Sequence, residues 1–238
     1  MAQDGYADMP AVPWHKPRKA DPRLPLSRAA IVDAGIRVLD DEGLAGVTMR
    51  RIAQDLGTGP ASLYAHVSGK DELLELMLER ISGEISLPEE PDPTRWKEQI
   101  KQICTEAQRV YTTHRDITAV SLGTMPVGPN KLLPAEFMLD LMIRAGVPER
   151  VAAWALDGLG QLIDSDALES SIYGAKLNQG VDLEAYFDQV REYFGLLPED
   201  RFPRIRSMAE FMTSGDGDER FGFKVDLYLR GLESYIER

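Results

Sequence analysis

The sequence predicts an all-α protein in two parts, a three-helix N-terminal unit and a larger helical C-terminal unit. Apolar residues recur at three- and four-residue intervals from about Ser27 to the C-terminus, the spacing that gathers them on one face of a helix. No stretch alternates apolar and polar residues over a useful strand length, and no internal repeat is present. The proline-punctuated segment Leu87-Pro88-Glu89-Glu90-Pro91-Asp92-Pro93 marks the boundary, giving units of residues 25–85 and 88–238. Residues 1–24 are proline-rich and aperiodic, and are expected to form a disordered arm.

The first predicted helix starts at Ser27, whose hydroxyl suits an N-cap. It carries Ile31, Ala34, Val38 and Leu39 on one face and ends at Gly43. The second starts after Thr48, another N-cap residue, buries Ile52, Ala53 and Leu56, and stops at Gly57. A short third helix follows, with Thr58 as cap, Pro60 in the first turn, and Leu63 and Val67 facing the core. Ser68 and Asp71 have the spacing of a capping box for a fourth helix with the stripe Leu74, Met77, Leu78 and Ile81. Beyond the boundary, helices are predicted over 95–113, 116–123, 131–145, 148 to about 178, 182–197 and about 205–212. Residues 215–218 read as a loop before a last helix with Val225, Tyr228, Leu229, Leu232 and Ile236 on one stripe.

A chain of 238 residues is long enough to bury a sizeable core. Its one cysteine, Cys104, excludes an intrachain disulfide and a cysteine metal cage. No apolar run reaches bilayer-spanning length, and the N-terminus has no apolar core of a signal peptide, so a cytoplasmic protein with no membrane partner is expected. The net charge of −12 argues at first against a nucleic-acid partner. Its distribution does not: residues 14–70 hold nine Lys and Arg against six Asp and Glu, while residues 71–238 hold 18 against 31. That split suits a phosphate-facing head on an acidic body, and equally suits ordinary surface variation. Lys16, Arg18, Lys19 and Arg23 likewise suit either an arm along DNA or a solvated tail.

The segment Gly57-Thr58-Gly59-Pro60-Ala61-Ser62-Leu63-Tyr64-Ala65-His66 joins two good helices with a turn and one short helix, which is the layout of a helix-turn-helix. With Leu63 and Val67 turned inward, Gly59, Pro60, Ala61, Ser62, Tyr64, Ala65 and His66 lie on the outer side. Small residues at the start of that helix permit close approach to base edges in a major groove. Residues 27–85 resemble the N-terminal domain of the tetracycline-repressor (TetR) family of bacterial transcription regulators. The resemblance runs through Ile31-Val32-Asp33-Ala34, Gly43, Val47-Thr48-Met49-Arg50-Arg51-Ile52-Ala53, Leu56-Gly57, Leu63-Tyr64-Ala65-His66-Val67 and Lys70. Residues 88–238 resemble the family's helical ligand-binding and dimerisation domain in size, in helix order and in the closing Asp226-Leu227-Tyr228-Leu229-Arg230-Gly231-Leu232-Glu233 helix.

The resemblance implies a role for each matched position. Arg50 is expected at a guanine edge or a phosphate, and Thr48 and Tyr64 at phosphates. Lys70 adds charge at a helix N-terminus, Pro60, Ala61 and Ser62 read base edges, and His66 touches the backbone. Gly59 departs from the larger polar residues common there. Arg37 and Arg51 read as solvated or intradomain charges. The partners implied are double-stranded DNA carrying an inverted repeat, a second copy of the chain, and a small, mostly apolar effector whose binding releases DNA.

Tyr111, His114, Met125, Phe137, Met138, Met142 and Trp154 are bulky or adaptable residues of the middle helices and are the candidate effector pocket, although each also suits plain core. Ala152, Ala155, Gly158, Leu159 and Leu162, with Val225, Tyr228 and Leu232, are the candidate dimer interface, although both stripes also suit packing within one chain. The histidines His15, His66 and His114 form no metal-ligand motif. The glycine pairs Gly57/Gly59 and Gly158/Gly160 follow helices rather than strands, so no dinucleotide fold, catalytic constellation, metal or cofactor is predicted. The alternative reading is a helical binding module whose helix-turn-helix does not engage DNA.

Overall fold

The computed structural model describes residues 26–236, all helix, turn and loop. The expected arm over residues 1–24 lies outside them. The head comprises α1 (Arg28–Glu42), α2 (Met49–Asp55), α3 (Pro60–Leu63) and α4 (Lys70–Ser82). Ser27 Oγ accepts the Ala30 N–H at 3.1 Å, and the Gly43 N–H closes α1 onto Leu39 O at 2.8 Å. Thr48 Oγ1 accepts the Arg51 N–H at 3.1 Å. These bonds satisfy amides and carbonyls that a helix end leaves open. Ile31, Val38, Leu39, Val47, Ile52, Leu63, Val67, Leu73 and Met77 meet in a core closed to solvent.

Two cap expectations are corrected. Gly59, not Thr58, precedes the first turn of α3, while the Thr58 N–H returns to Ala53 O at 2.8 Å. The Ser68–Asp71 box does not form. α4 starts at Lys70 after Gly69, and the Ser68 N–H donates to Glu72 Oε2 at 2.5 Å. Glu72 also pairs with Arg28 of α1, a long-range partner that draws the capping carboxylate one residue along. The same register buries Leu73 fully and leaves Leu74 half-buried.

The body comprises α5 (Trp96–Thr113), α6 (Ile117–Ser121), α7 (Pro129–Arg144), α8 (Glu149–Asn178), α9 (Leu183–Leu196), α10 (Pro203–Ser207), α11 (Ala209–Thr213) and α12 (Gly217–Glu233). The 215–218 segment is not wholly loop, since Asp216 caps α12 by accepting the Glu219 N–H at 2.7 Å. At 30 residues, α8 runs about 45 Å. α5 lies at the centre against α4, α7, α8 and α12, burying Ile100, Ile103, Cys104, Ala107 and Val110. Lys101 Nζ to Asp226 and Lys97 Nζ to Glu233, each 2.7 Å, tie α5 to α12 across the surface. The head and body cores are continuous through α4.

Truncating Leu39→Ala, at a fully buried site, is expected to cost about 2–5 kcal/mol in urea unfolding, the range for leucine truncation in a packed core. Burial pushes the Cys104 thiol up to about 12 from its ordinary 9.0. The folded chain therefore holds this proton where the unfolded chain loses it, so stability falls as pH rises between those values. Urea midpoints measured from pH 8 to 11 are expected to decline less steeply in Cys104→Ala than in the parent.

Candidate functional site

The turn after α2 bends at Gly57, whose φ of +64° is readily adopted only without a side chain. It sets α3 outward from the head. Gly59, Pro60, Ala61 and Tyr64 are exposed there, Ser62 is half-buried, and Leu63 anchors the helix with no exposure. The absence of long side chains over Gly59–Ser62 lets the backbone of α3 approach a flat or grooved polyanion closely. Thr48 sits beside it with its hydroxyl accepting from a backbone amide, which leaves the hydroxyl proton to donate. Lys70 stands exposed at the N-terminus of α4, where the helix dipole also favours an anion.

The arginines divide by their partners. Arg51 binds Glu42 at 2.7 Å and Asp55 at 3.7 Å, and Arg37 binds Asp55 at 2.9 Å, so both are spent inside the head. Arg50 is exposed and makes no ion pair among the described residues. His66 differs from its expected outward placement, because its Nε2 is buried without a partner and the ring turns into the head. Its carbonyl accepts from Arg28 Nε at 3.3 Å.

The body holds a cavity of about 430 Å³ between α5, α7, α8 and the α6–α7 loop. Tyr111, Met125 and Met138 of the expected set line it. Met125, 78% exposed, stands at the rim with Leu122, while Tyr111 and Met138 are buried in the wall. The other four expected residues lie elsewhere. Met142 is closed in the core, Phe137 packs half-buried beside it, and Trp154 faces solvent at 64% exposure under the Arg150 guanidinium. Phe137 and Trp154 each lie about 100° round their helix from a lining neighbour, Met138 or Ala153, while Met142 shares the face of Met138 but sits about 6 Å further along the axis.

His114 is displaced most. It ends α5 at the junction of the two units, with Nδ1 3.1 Å from both Asp40 oxygens of α1 and Nε2 3.2 Å from Glu84. Burial pushes the Asp40 carboxyl up, against the opposing pull of His114. Next to it Asp116, at φ +61°, accepts the Leu44 N–H at 3.1 Å and the Ser171 hydroxyl at 3.3 Å. One carboxylate thus joins the loop between α1 and α2 to α8. Sequence spacing gives no sign of these contacts, since their partners lie 30 to 74 positions away.

A third link crosses from α4 to α7. Glu79 Oε1 accepts the Asn130 N–H at 2.7 Å, and the Asn130 side chain donates to Glu79 O at 2.9 Å. Ser82 Oγ lies 3.0 Å from the Tyr111 hydroxyl, so α4 reaches a cavity-wall residue directly. The cavity's wall and the head's orientation share these bonds.

The expected dimer residues fall mainly inside the chain. Ala152, Ala155, Leu159, Val225 and Leu232 are buried in the body's own core. Small residues there let α8 pack closely within the chain, and the same helical spacing reads as an interface in sequence. A Cβ on Gly158 would strike the Tyr228 hydroxyl, so this pair packs α8 against α12 within one chain. The opposite edge is the open one. Gly158, Leu162, Leu227 and Tyr228 line a groove of about 710 Å³ between α8 and α12, and Trp154, Phe223 and Leu227 project beside it, each more than 60% exposed.

Comparison with known proteins follows this division. Residues 31–77 match the bacterial regulatory proteins of the tetR family, and residues 87–236 match the tetracyclin repressor-like C-terminal domain. The HTH-type transcriptional repressor DrrR1 of Streptomyces coeruleorubidus is 33% identical over 224 residues, covering 92% of this chain and 81% of its own. The class D tetracycline repressor of Escherichia coli is 28% identical over 211 residues, covering 87% and 89%. The crystal structure of ActR from Streptomyces coelicolor in complex with actinorhodin superposes with a TM-score of 0.80 at 36% identity, covering 88% of this chain and 96% of that one. With the head and the body each matched over its length, the chain belongs to the TetR family of DNA-binding, ligand-responsive transcriptional regulators, which are not enzymes.

Proposed function

We propose that the chain is a cytoplasmic homodimeric repressor that holds an inverted-repeat operator and lets it go when a small, mostly apolar molecule enters the body cavity. The observation that carries this reading is the pair of links joining cavity wall to head, Glu79 to Asn130 and Ser82 to Tyr111, beside which Asp116 to Leu44 ties the body to the head. The similar ActR has been solved with actinorhodin and with (S)-DNPA, which supports a ligand in the corresponding domain here. In the head, Pro60, Ala61 and Ser62 read base edges with Gly59 allowing close approach, Arg50 reads a guanine or a phosphate, and Thr48, Tyr64 and Lys70 hold phosphates.

One short reading helix contacts too few bases for useful specificity, so two heads must address half-sites about 34 Å apart. Two copies meeting through Trp154, Phe223 and Leu227 would form a four-helix contact from α8 and α12 of each, replacing the buried set expected from sequence. A ligand that fits better when α7 and α4 are displaced shifts the population toward a head spacing that no longer matches DNA.

Selection of the purified protein against random duplex DNA is expected to enrich an inverted repeat; recovery of unrelated sequences alone defeats the operator reading. On that repeat, Arg50→Ala should cost about 1–3 kcal/mol confined to one base position, or act as a phosphate contact if the loss is uniform. Lys70→Ala should weaken all sequences alike and reduce the salt slope by about 1. Sedimentation is expected to find a dimer that Leu227→Glu converts to a folded monomer, and a parent protein already monomeric at micromolar concentration would refute the α8–α12 interface.

A further inference from the structure

The cavity wall is apolar along Ile103, Ala107, Met138 and Ile163; its polar groups are Thr124, Asn130 and the exposed Asp157–Gln161 pair, together with one inner cluster. Lys131 of α7 directs Nζ to Ser121 Oγ at 2.7 Å and lies 5.7 Å over the Tyr111 ring. Ser121 in turn bonds to the Asp164 carboxylate of α8. A hydroxyl has a single proton, and an ammonium only donates, so Ser121 accepts from Lys131 and donates to Asp164. Ser121 and Asp164 are both buried. Lys131 and Asp164 meet through this hydroxyl rather than by a direct ion pair.

Resting on the reading of this cavity as the effector site, we infer that Lys131 and Asp164 select a neutral, flat aromatic ligand carrying a hydrogen-bond donor beside a carbonyl acceptor on one edge. The ammonium has three N–H groups and gives one to Ser121, while the carboxylate has lone pairs beyond the one Ser121 occupies. Both therefore retain bonding capacity toward the cavity they line. An anionic ligand would satisfy Lys131 but bring a second negative charge to Asp164, with Glu79 acting on the same site. A cationic ligand would do the reverse against Lys131. A wholly apolar ligand would bury both groups without replacing the water bonds they lose, which is unfavourable for charged groups. A donor and an acceptor side by side serve both residues at no net charge.

The rest of the cavity favours a flat frame. Tyr111 and the thioethers of Met125 and Met138 present polarizable surface suited to ring faces. A cavity of about 430 Å³ has room for a frame of about three fused rings. Burial pulls the Lys131 ammonium down from its ordinary value and pushes the Asp164 carboxyl up, so each gains from a ligand bond that stabilises its charge. Lys131 also adjoins Asn130, which is bonded to Glu79 of α4, so a ligand held at this edge acts one residue from the link to the head.

Calorimetric titration of the full chain with four probes, each of three fused rings, tests this. Phenanthridinone carries N–H and C=O on one edge, its benzochromenone lactone isostere only C=O, carbazole only an N–H donor, and phenanthrene carboxylate an anion. Phenanthridinone is expected to bind at least about tenfold more tightly than the other three, the scale of losing one hydrogen bond to a charged group. Lys131→Met should remove its advantage over carbazole, and Asp164→Leu its advantage over the lactone, with thermal melts confirming folded variants. Equal affinities among the probes, tightest binding of the carboxylate, or a preference that survives in both folded variants overturns the inference. If equal-affinity probes still release the selected DNA, the effector cavity stands and only the polar selection falls. If no probe binds, the inference falls and the cavity loses its support as an effector site, while DNA recognition by the head is judged separately by its operator.

Discussion

The fold depends on α4 belonging to two cores at once. Leu73, Met77 and Ile81 close the head against α1, while Ser82, Glu79 and the C-terminal turn bond to α5 and α7. A helix of 13 residues shared this way cannot shift against one unit without disturbing the other, because packed interiors transmit displacement rather than absorb it. Head orientation is thereby bound to the arrangement of the cavity wall. The same constraint explains why the two units, distinct in charge and in sequence character, form a continuous apolar interior.

Polar groups at the junction reinforce that coupling more than they add stability. His114 between Asp40 and Glu84, and Asp116 between Leu44 and Ser171, place charged or strongly polar atoms where two helical layers meet. Such bonds are short-ranged and directional, so they discriminate between alternative packings that apolar contacts alone would tolerate. Asp116 adopts a positive φ without being glycine, and the geometry that requires it also brings its two oxygens to two different layers.

Charge follows the same division of labour. In the head, Arg37 and Arg51 are neutralised by Asp55 and Glu42, which leaves Arg50, Tyr64 and Lys70 to face outward beside the bare surface of α3. The acidic excess resides in the body, away from that surface, so an overall charge of −12 is compatible with a polyanion partner. In the body, the α8–α12 packing leaves Trp154, Phe223 and Leu227 exposed.

What the sequence determined by itself is local. Periodicity at 3.6 residues, caps at Ser27 and Thr48, and the turn at Gly57 depend on neighbours within a few positions, and from them the helix order, the head and the exposed face of α3 are legible. Tertiary structure decided which face of each later helix points where. Ala152, Ala155 and Leu159 read as an interface because residues at helical spacing mark close approach without naming the partner, and the partner lies within the same chain. His114 read as a pocket residue because its chemistry suits one, yet its position is fixed by carboxylates 74 and 30 residues away. Lys131, Ser121 and Asp164 lie on three elements and share no spacing rule, so only the packing of α7 and α8 on α5 brings them to one wall. A local pattern fixes an element's faces, but which face meets which depends on the whole core closing at once.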